Sequence, residues 1–204
     1  MRRSVLSVCV LALFLSACSG TDTGDAAPSA VTAASTSTAA APAPAPAAQG
    51  ADIGYYRLGD TQVALRGALS LPGEPGTINV LLTPTLLDAG ERAEVLASTA
   101  WPGMPLMSKK SEAYADRYPF VTVKLNIDGP IEPANVRSYY IMAYGIREPN
   151  HTDNLNGFPG ELSRVERLEI ADGRLRLRFS GQEEISGETR RWSFEIETEA
   201  PGAR

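Results

Sequence analysis

The stretch Val165–Phe179, which reads VERLEIADGRLRLRF, decides the fold. Apolar and charged residues alternate on both sides of Asp172-Gly173, and an Asp-Gly pair between two alternating runs is a strong sequence signal for a β-hairpin. A third alternating run, Trp192–Glu197, follows the turn residues Ser186-Gly187. The arginines of the second run and the glutamates of the third are therefore expected to be cross-strand neighbours on a solvent-exposed face.

Further strand patterns lie upstream of this hairpin. Each either alternates with a period of two or is a short dense apolar run. These segments are Gln62–Leu71, Thr77–Thr83, Pro119–Ile127 and Ser138–Ile146. The run at 77–83 is typical of a strand that is buried on both faces. With Gly- and Pro-rich turns between the segments, the pattern predicts an all-β domain over residues 51–204, an antiparallel β-sandwich or barrel of 7–9 strands.

The segment 86–118 has no clear period. Residues 91–100 are compatible with either a helix or a strand, and 93–100 are predicted as a strand. Residues 111–118 have room for one or two helical turns. The stretch Trp101–Pro105, with its two prolines, must interrupt any regular element there.

The N-terminus has the organisation of an export signal. Met1-Arg2-Arg3 is cationic, the run Val5–Leu15 is apolar apart from Ser7, and the small residues Ser16-Ala17 follow. Charged start, short apolar run and small residues together predict a signal peptide at residues 1–17. A run of about 11 residues is short of the roughly 20 that cross a bilayer. An uncleaved anchor and an ordinary cleaved signal are the alternatives.

Leu15-Ser16-Ala17-Cys18 resembles the lipobox of bacterial lipoproteins. The resemblance implies that the thiol of Cys18 receives a diacylglycerol, that cleavage occurs before it, and that Cys18 becomes the first mature residue. Two or more acyl chains anchor a protein firmly, whereas one holds it marginally. Because Ser19, not Asp, follows the cysteine, the resemblance also implies the outer membrane, with the domain on the periplasmic face.

Residues 18–50 are expected to be the acylated cysteine followed by a disordered linker. The segment consists mainly of Ala, Ser, Thr and Pro and includes alternating Ala and Pro at 41–46. Alternating prolines prevent a helix, and so few large apolar side chains cannot offset the entropy of ordering. The linker is interpreted as a spacer that lifts the domain off the membrane, with unselected filler as the alternative.

Cysteine usage and charge limit what the domain can do. Cys9 would leave with the signal and Cys18 would be acylated, so the mature domain would have neither a thiol nor a disulfide. The net charge of the chain is −5. An acidic domain does not favour nucleic-acid binding, which depends on a basic surface.

No catalytic or cofactor motif is present. His151 is the single histidine, no Gly-x-Ser-x-Gly motif marks a nucleophile, and a zinc site needs three or four ligands. The sequence therefore predicts no enzyme and no cofactor. The loop around His151 carries Asp153, Asn154 and Asn156, whose oxygens are suited to calcium. An ordinary turn-rich loop is the alternative.

Three aromatic residues are candidates for ligand binding. Tyr55-Tyr56 and Tyr139-Tyr140 place one ring on each face of an extended segment, and Trp101 lies beside helix-breaking residues. Exposed aromatic side chains often mark binding surfaces. Tyr56, Tyr139 and Trp101 are therefore predicted to contribute to a shallow patch for a peptide or glycan, with core packing as the alternative.

Part of the domain is also similar to small β-sandwich lipoproteins of the YbaY/YscW type. Leu71-Pro72, Pro119-Phe120 and Tyr139-Tyr140 carry this likeness, which covers residues 62–146. The resemblance implies an assembly or stabilising role at the outer membrane and brings no catalytic residues.

The chain is predicted to be a lipid-anchored, non-catalytic binding or envelope-assembly module in the periplasm, whose partner is an envelope protein, a peptide or a glycan. A structural or spacing lipoprotein without a small ligand is the main alternative, and a hydrolase with an unrecognised site is the other.

Overall fold

The computed structural model describes residues 51–98, 103–109 and 117–202. The signal peptide and linker predicted at residues 1–50 lie outside these ranges. Two five-stranded antiparallel sheets pack together, so the predicted all-β sandwich is confirmed. The described residues form ten strands, more than the predicted 7–9: β1 (Gly54–Leu58), β2 (Thr61–Leu65), β3 (Gly67–Leu71), β4 (Thr77–Thr83), β5 (Phe120–Ile127), β6 (Val136–Tyr144), β7 (Thr152–Gly157), β8 (Ser163–Ala171), β9 (Arg174–Ile185) and β10 (Glu188–Glu199).

The first sheet has the order β2-β1-β10-β9-β8, and the second has the order β3-β4-β5-β6-β7. The chain therefore crosses between the sheets twice, from β2 to β3 and from β7 to β8. Each crossing joins an edge strand of one sheet to an edge strand of the other. The main core lies between the sheets and contains inward-facing side chains from both. At its centre the ring of Trp192 lies 5.8 Å from the ring of Tyr139 and 5.7 Å from that of Phe179.

The predicted single strand at 62–71 is wrong. It is two strands, β2 and β3, in different sheets, and Arg66 lies between them. Val63 and Leu65 belong to the core between the sheets, whereas Leu69 and Leu71 belong to a second cluster, against the α-helices, on the other face of their sheet. The period of two continues across Arg66 while the strand changes sheets, so alternation alone does not reveal the break.

Strand β4 is buried on both faces, as predicted. Val80 and Leu82 lie in the core between the sheets, and Leu81 lies in the second cluster. That cluster includes Val95 of helix α1 (Ala89–Ala97) and Leu106 of the short helix α2 (Met104–Met107).

The strand predicted at 93–100 is wrong, because residues 93–97 belong to α1 and residues 99–100 lie outside the described residues. The helix begins with a capping box: Asp88 accepts a hydrogen bond from the Glu91 backbone N–H, and the Glu91 carboxylate accepts one from the Asp88 backbone N–H. Of residues 111–118, which have room for helical turns, 111–116 lie outside the described ranges and 117–118 are irregular.

Both predicted turns in the C-terminal region are confirmed. Asp172 and Gly173 have φ values of 52° and 71°, and Ser186 and Gly187 have φ values of 55° and 77°. Positive φ at both central residues is the geometry of a type I′ hairpin.

The predicted arginine and glutamate rows are also neighbours. Glu195 pairs with Arg178, and Glu197 lies 3.3 Å from Arg174 and 3.6 Å from Arg176. These exposed ion pairs contribute at most about 1 kcal/mol each.

Candidate functional site

A buried polar cluster joins the two sheets at one end of the sandwich. The Tyr56 hydroxyl of β1 donates to Asp153 Oδ2 of β7 at 2.7 Å. The Arg190 guanidinium of β10 donates to both oxygens of Asp153, at 2.7 Å from Nη2 to Oδ1 and at 3.0 Å from Nε to Oδ2. Tyr56 is 0% exposed, Asp153 6% and Arg190 9%.

This cluster also fixes the tip of the hairpin formed by β9 and β10. Arg190 Nη1 donates to the carbonyl oxygens of Ile185 at 3.1 Å and Glu188 at 3.2 Å, on both sides of the turn. The Asp153 carboxylate therefore ties the hairpin of one sheet to the edge strand of the other. Because its members are buried and mutually hydrogen-bonded, the cluster supports the fold and does not face a ligand.

A second polar link lies close by. The Tyr139 hydroxyl of β6 donates to Glu183 Oε1 of β9 at 3.0 Å. Burial raises the pKa of Tyr139 to about 12, and the hydrogen bond to the Glu183 carboxylate acts in the same direction. Burial, followed by the hydrogen bond to Asp153, also raises the pKa of Tyr56 well above its ordinary value.

These two tyrosines predict a loss of stability in alkali. Both folded-state pKa values lie above the value near 10 of the unfolded chain, so their contribution is fully present below pH 10 and is lost as pH rises. Each group lowers the free energy of unfolding by roughly 1.4 kcal/mol per pH unit above pH 10. We expect the midpoint of urea unfolding to fall steeply between pH 10 and 11.5.

The variant Tyr139→Phe supplies the control for this pH dependence, since it should show a shallower fall of the midpoint over the same range. Absorbance at 295 nm should show that the two buried rings ionise only as the chain unfolds. A midpoint that does not change with pH above 10 would contradict the predicted effect.

The outer surface above this cluster carries an open groove of about 520 Å³. Its lining comes from residues 57 and 59–61 at the β1–β2 turn, from residues 187–189 and 191 of the β9–β10 hairpin, and from Arg147 in the β6–β7 connection. A hydrogen bond of 2.9 Å from the Gly59 N–H to the Thr189 carbonyl joins the first two segments. The groove thus lies where both sheets contribute connecting turns.

The groove contains a cross-strand pair of like charges. Arg57 on β1 and Arg191 on β10 are directly opposite each other in the register of the two strands. Arg190 and Arg191 are consecutive, so they point to opposite faces: Arg190 inward to Asp153, and Arg191 outward, where it is exposed.

The acidic residues of the groove compensate only part of this charge. Arg147 forms an ion pair with Glu188 at 2.6 Å, and both are about 40% exposed. Arg57 lies 3.6 Å from the fully exposed carboxylate of Asp60, which contributes little against solvent screening. Among the described residues, no carboxylate lies within ion-pairing distance of Arg191. These arginines are not among the residues that the sequence singled out.

The predicted aromatic binding patch is corrected at two of its three residues. Tyr56 is 0% exposed and Tyr139 1%, so neither can line an exposed surface. The other residue of each pair, Tyr55 or Tyr140, faces outward and is half-buried. Trp101 lies outside the described residues. The outward position of Arg57 was the signal that could have placed Tyr55 outside and Tyr56 inside.

The predicted calcium set does not converge. The three residues lie on strand β7, not in a loop, and successive strand residues point to opposite faces. Asp153 is buried, and its carboxylate accepts hydrogen bonds from Tyr56 and Arg190. Asn154 and Asn156 are exposed on the opposite face of the strand. The Asn154 side-chain oxygen accepts a hydrogen bond from Tyr140 at 2.6 Å.

His151 and Cys18 are the remaining residues that the sequence analysis named individually. His151 is exposed in the loop before β7, as expected from its polar surroundings. Within the described ranges, no three His, Cys, Asp or Glu side chains form a group suited to a metal ion. Cys18, the predicted lipidation site, lies outside those ranges.

Comparison with family models, with curated protein sequences and with solved structures finds no match to this chain. In the part of the chain that the structure describes, no helix is both long and apolar enough to span a bilayer.

Proposed function

We propose that the protein is a lipid-anchored, non-catalytic binding module on the periplasmic side of the bacterial outer membrane. The observation that carries this proposal is Leu15-Ser16-Ala17-Cys18, placed directly after a cationic start and a short apolar run. Acylation of Cys18 would hold the sandwich at the membrane, and residues 19–50 would separate the two. At about 3.1 Å per residue, a fully extended spacer of this length would reach roughly 100 Å.

The folded domain supports a binding role over spacing alone. A module that acts only as a spacer needs a stable core, which the sandwich has, but it does not need a groove. Arg57 and Arg191 face each other across two strands in that groove, and like charges at opposed positions destabilise a sheet. Such a pair contributes to function if it meets an anionic group on a partner.

The anchor is tested by replacing the two cysteines one at a time. Cells that express the full chain are fed an alkyne-tagged palmitate analogue, and label on the purified protein is measured. The unaltered chain and Cys9→Ser should both be labelled, whereas Cys18→Ser should lose the label completely and no longer fractionate with the outer membrane. Label on Cys18→Ser, or an unlabelled wild-type chain, would overturn the proposal.

A further inference from the structure

The groove at the hairpin end carries two guanidinium groups without a short ion pair, those of Arg57 and Arg191. Arg57 Nε donates to the Gly59 carbonyl oxygen at 2.7 Å, which is a neutral acceptor. Arg147 is neutralised by Glu188 at 2.6 Å. The carboxylate of Asp60 is fully exposed to water, so it screens Arg57 weakly at 3.6 Å. No described carboxylate pairs with Arg191. The lining therefore keeps a net positive charge, because its three arginines outnumber its two carboxylates, and it favours an anion.

The geometry of the groove allows such an anion to be reached from two sides. Arg57 and Arg191 project from directly opposed positions on adjacent strands, which places their side chains side by side on the outer face. Arg147 approaches from the other sheet, and its Nη2 lies 3.4 Å from the point where a Cβ on Gly59 would be. Thr61 and Thr189 also line the groove.

The type and number of donors identify the ligand class. A single arginine satisfies a carboxylate through two parallel hydrogen bonds, whereas several arginines suit the three terminal oxygens of a phosphate. The groove volume of about 520 Å³ also exceeds the size of a bare ion, so the group that carries the phosphate has room. We propose that the groove binds the phosphate group of a phosphate monoester. This inference deepens the binding role proposed above and rests on it, but it does not depend on the lipid anchor.

The test uses the full chain purified in detergent and titrated calorimetrically with glycerol 3-phosphate and, separately, with short-chain phosphatidic acid. We expect saturable binding with a Kd on the order of 0.1–1 mM for at least one of them. Similar affinities for both would assign recognition to a soluble phosphate ester, and markedly tighter binding of phosphatidic acid would assign it to a lipid headgroup.

Charge-removing variants separate a specific site from general attraction. Arg57→Ala and Arg191→Ala should each weaken binding about tenfold or more. The matched control is Arg174→Ala on the same sheet. Gln182 of β9 lies opposite Arg191, and Arg174 lies eight residues from Gln182 along the same strand. Arg174 is therefore about 27 Å away from the groove arginine. This control should leave the affinity within about twofold.

Two results would overturn the proposal: no saturable binding of either compound, or an equal loss of affinity in Arg174→Ala. The urea midpoint of Arg191→Ala should be unchanged or higher, since a like-charge contact is removed; a clearly lower midpoint would contradict the charge argument. Palmitate labelling of Cys18 is read separately, so a failure of phosphate binding is distinguishable from a failure of the anchor.

Discussion

Replacement of Asp153 by alanine is expected to lower the free energy of unfolding by about 3–5 kcal/mol. The substitution leaves the Arg190 guanidinium buried without its counter-charge and deprives the Tyr56 hydroxyl of its acceptor. A buried charge that loses its partner costs far more than the pair itself contributes, because the desolvation penalty is no longer compensated. Urea unfolding of the purified chain at neutral pH measures the loss.

An exposed ion pair provides the matched control for this prediction. Glu195→Ala removes the nearer of the two carboxylates that pair with Arg178 on the outer face and should cost less than about 1 kcal/mol. The double variant Asp153→Ala/Arg190→Met should recover part of the loss, since the unpaired charge is then removed as well. If Asp153→Ala unfolds within 1 kcal/mol of the unaltered chain, Arg190 is solvated and the buried cluster does not tie the sheets together.

Replacement of Gly181 by alanine is expected to cost about 1–3 kcal/mol, although it adds only one methyl group. Gly181 lies opposite Trp192 in the β9–β10 register. A Cβ at this position would be 2.3 Å from Trp192 Cζ2 and 2.7 Å from Cε2. The indole is 1% exposed and packs against the rings of Tyr139 and Phe179, so it has little room to move away.

Gly160→Ala is the control for Gly181→Ala, since its Cβ would meet only the Phe158 carbonyl oxygen, at an ordinary 3.9 Å. We expect it to change stability by less than about 0.5 kcal/mol. Combining Gly181→Ala with Trp192→Phe should cost less than the sum of the two single changes, because the smaller ring makes room for the methyl group. Strict additivity of the two costs would show that the indole does not cause the loss.

The sequence was informative where a pair of residues between alternating runs strongly favours one turn geometry. Asp172-Gly173 and Ser186-Gly187 adopt positive φ at both positions, which is why the two C-terminal hairpins could be located and their arginine and glutamate rows placed opposite each other. The dense apolar run of β4 likewise indicated burial on both faces correctly.

Other features depend on tertiary contacts that alternation does not encode. The change of sheet at Arg66 leaves the period of two intact, and α1 depends on a capping box at Asp88 that a period search does not register. Asp153 shares its strand face with Leu155, which was the signal that it points inward, away from its exposed neighbours. The groove unites three turns from distant parts of the chain, so it follows from topology and not from any local motif.

We propose that this sandwich is carried on a lipid attached to Cys18. Residues 18–56 contain no lysine or arginine, so tryptic digestion of the denatured membrane-extracted protein yields the fragment Cys18–Arg57 if cleavage occurs before the cysteine. A mass spectrum of that fragment tests the claim directly. We predict a fragment that begins at Cys18 and carries the added mass of a diacylglycerol, whereas an unmodified Cys18 or a mature chain that begins elsewhere would contradict the claim.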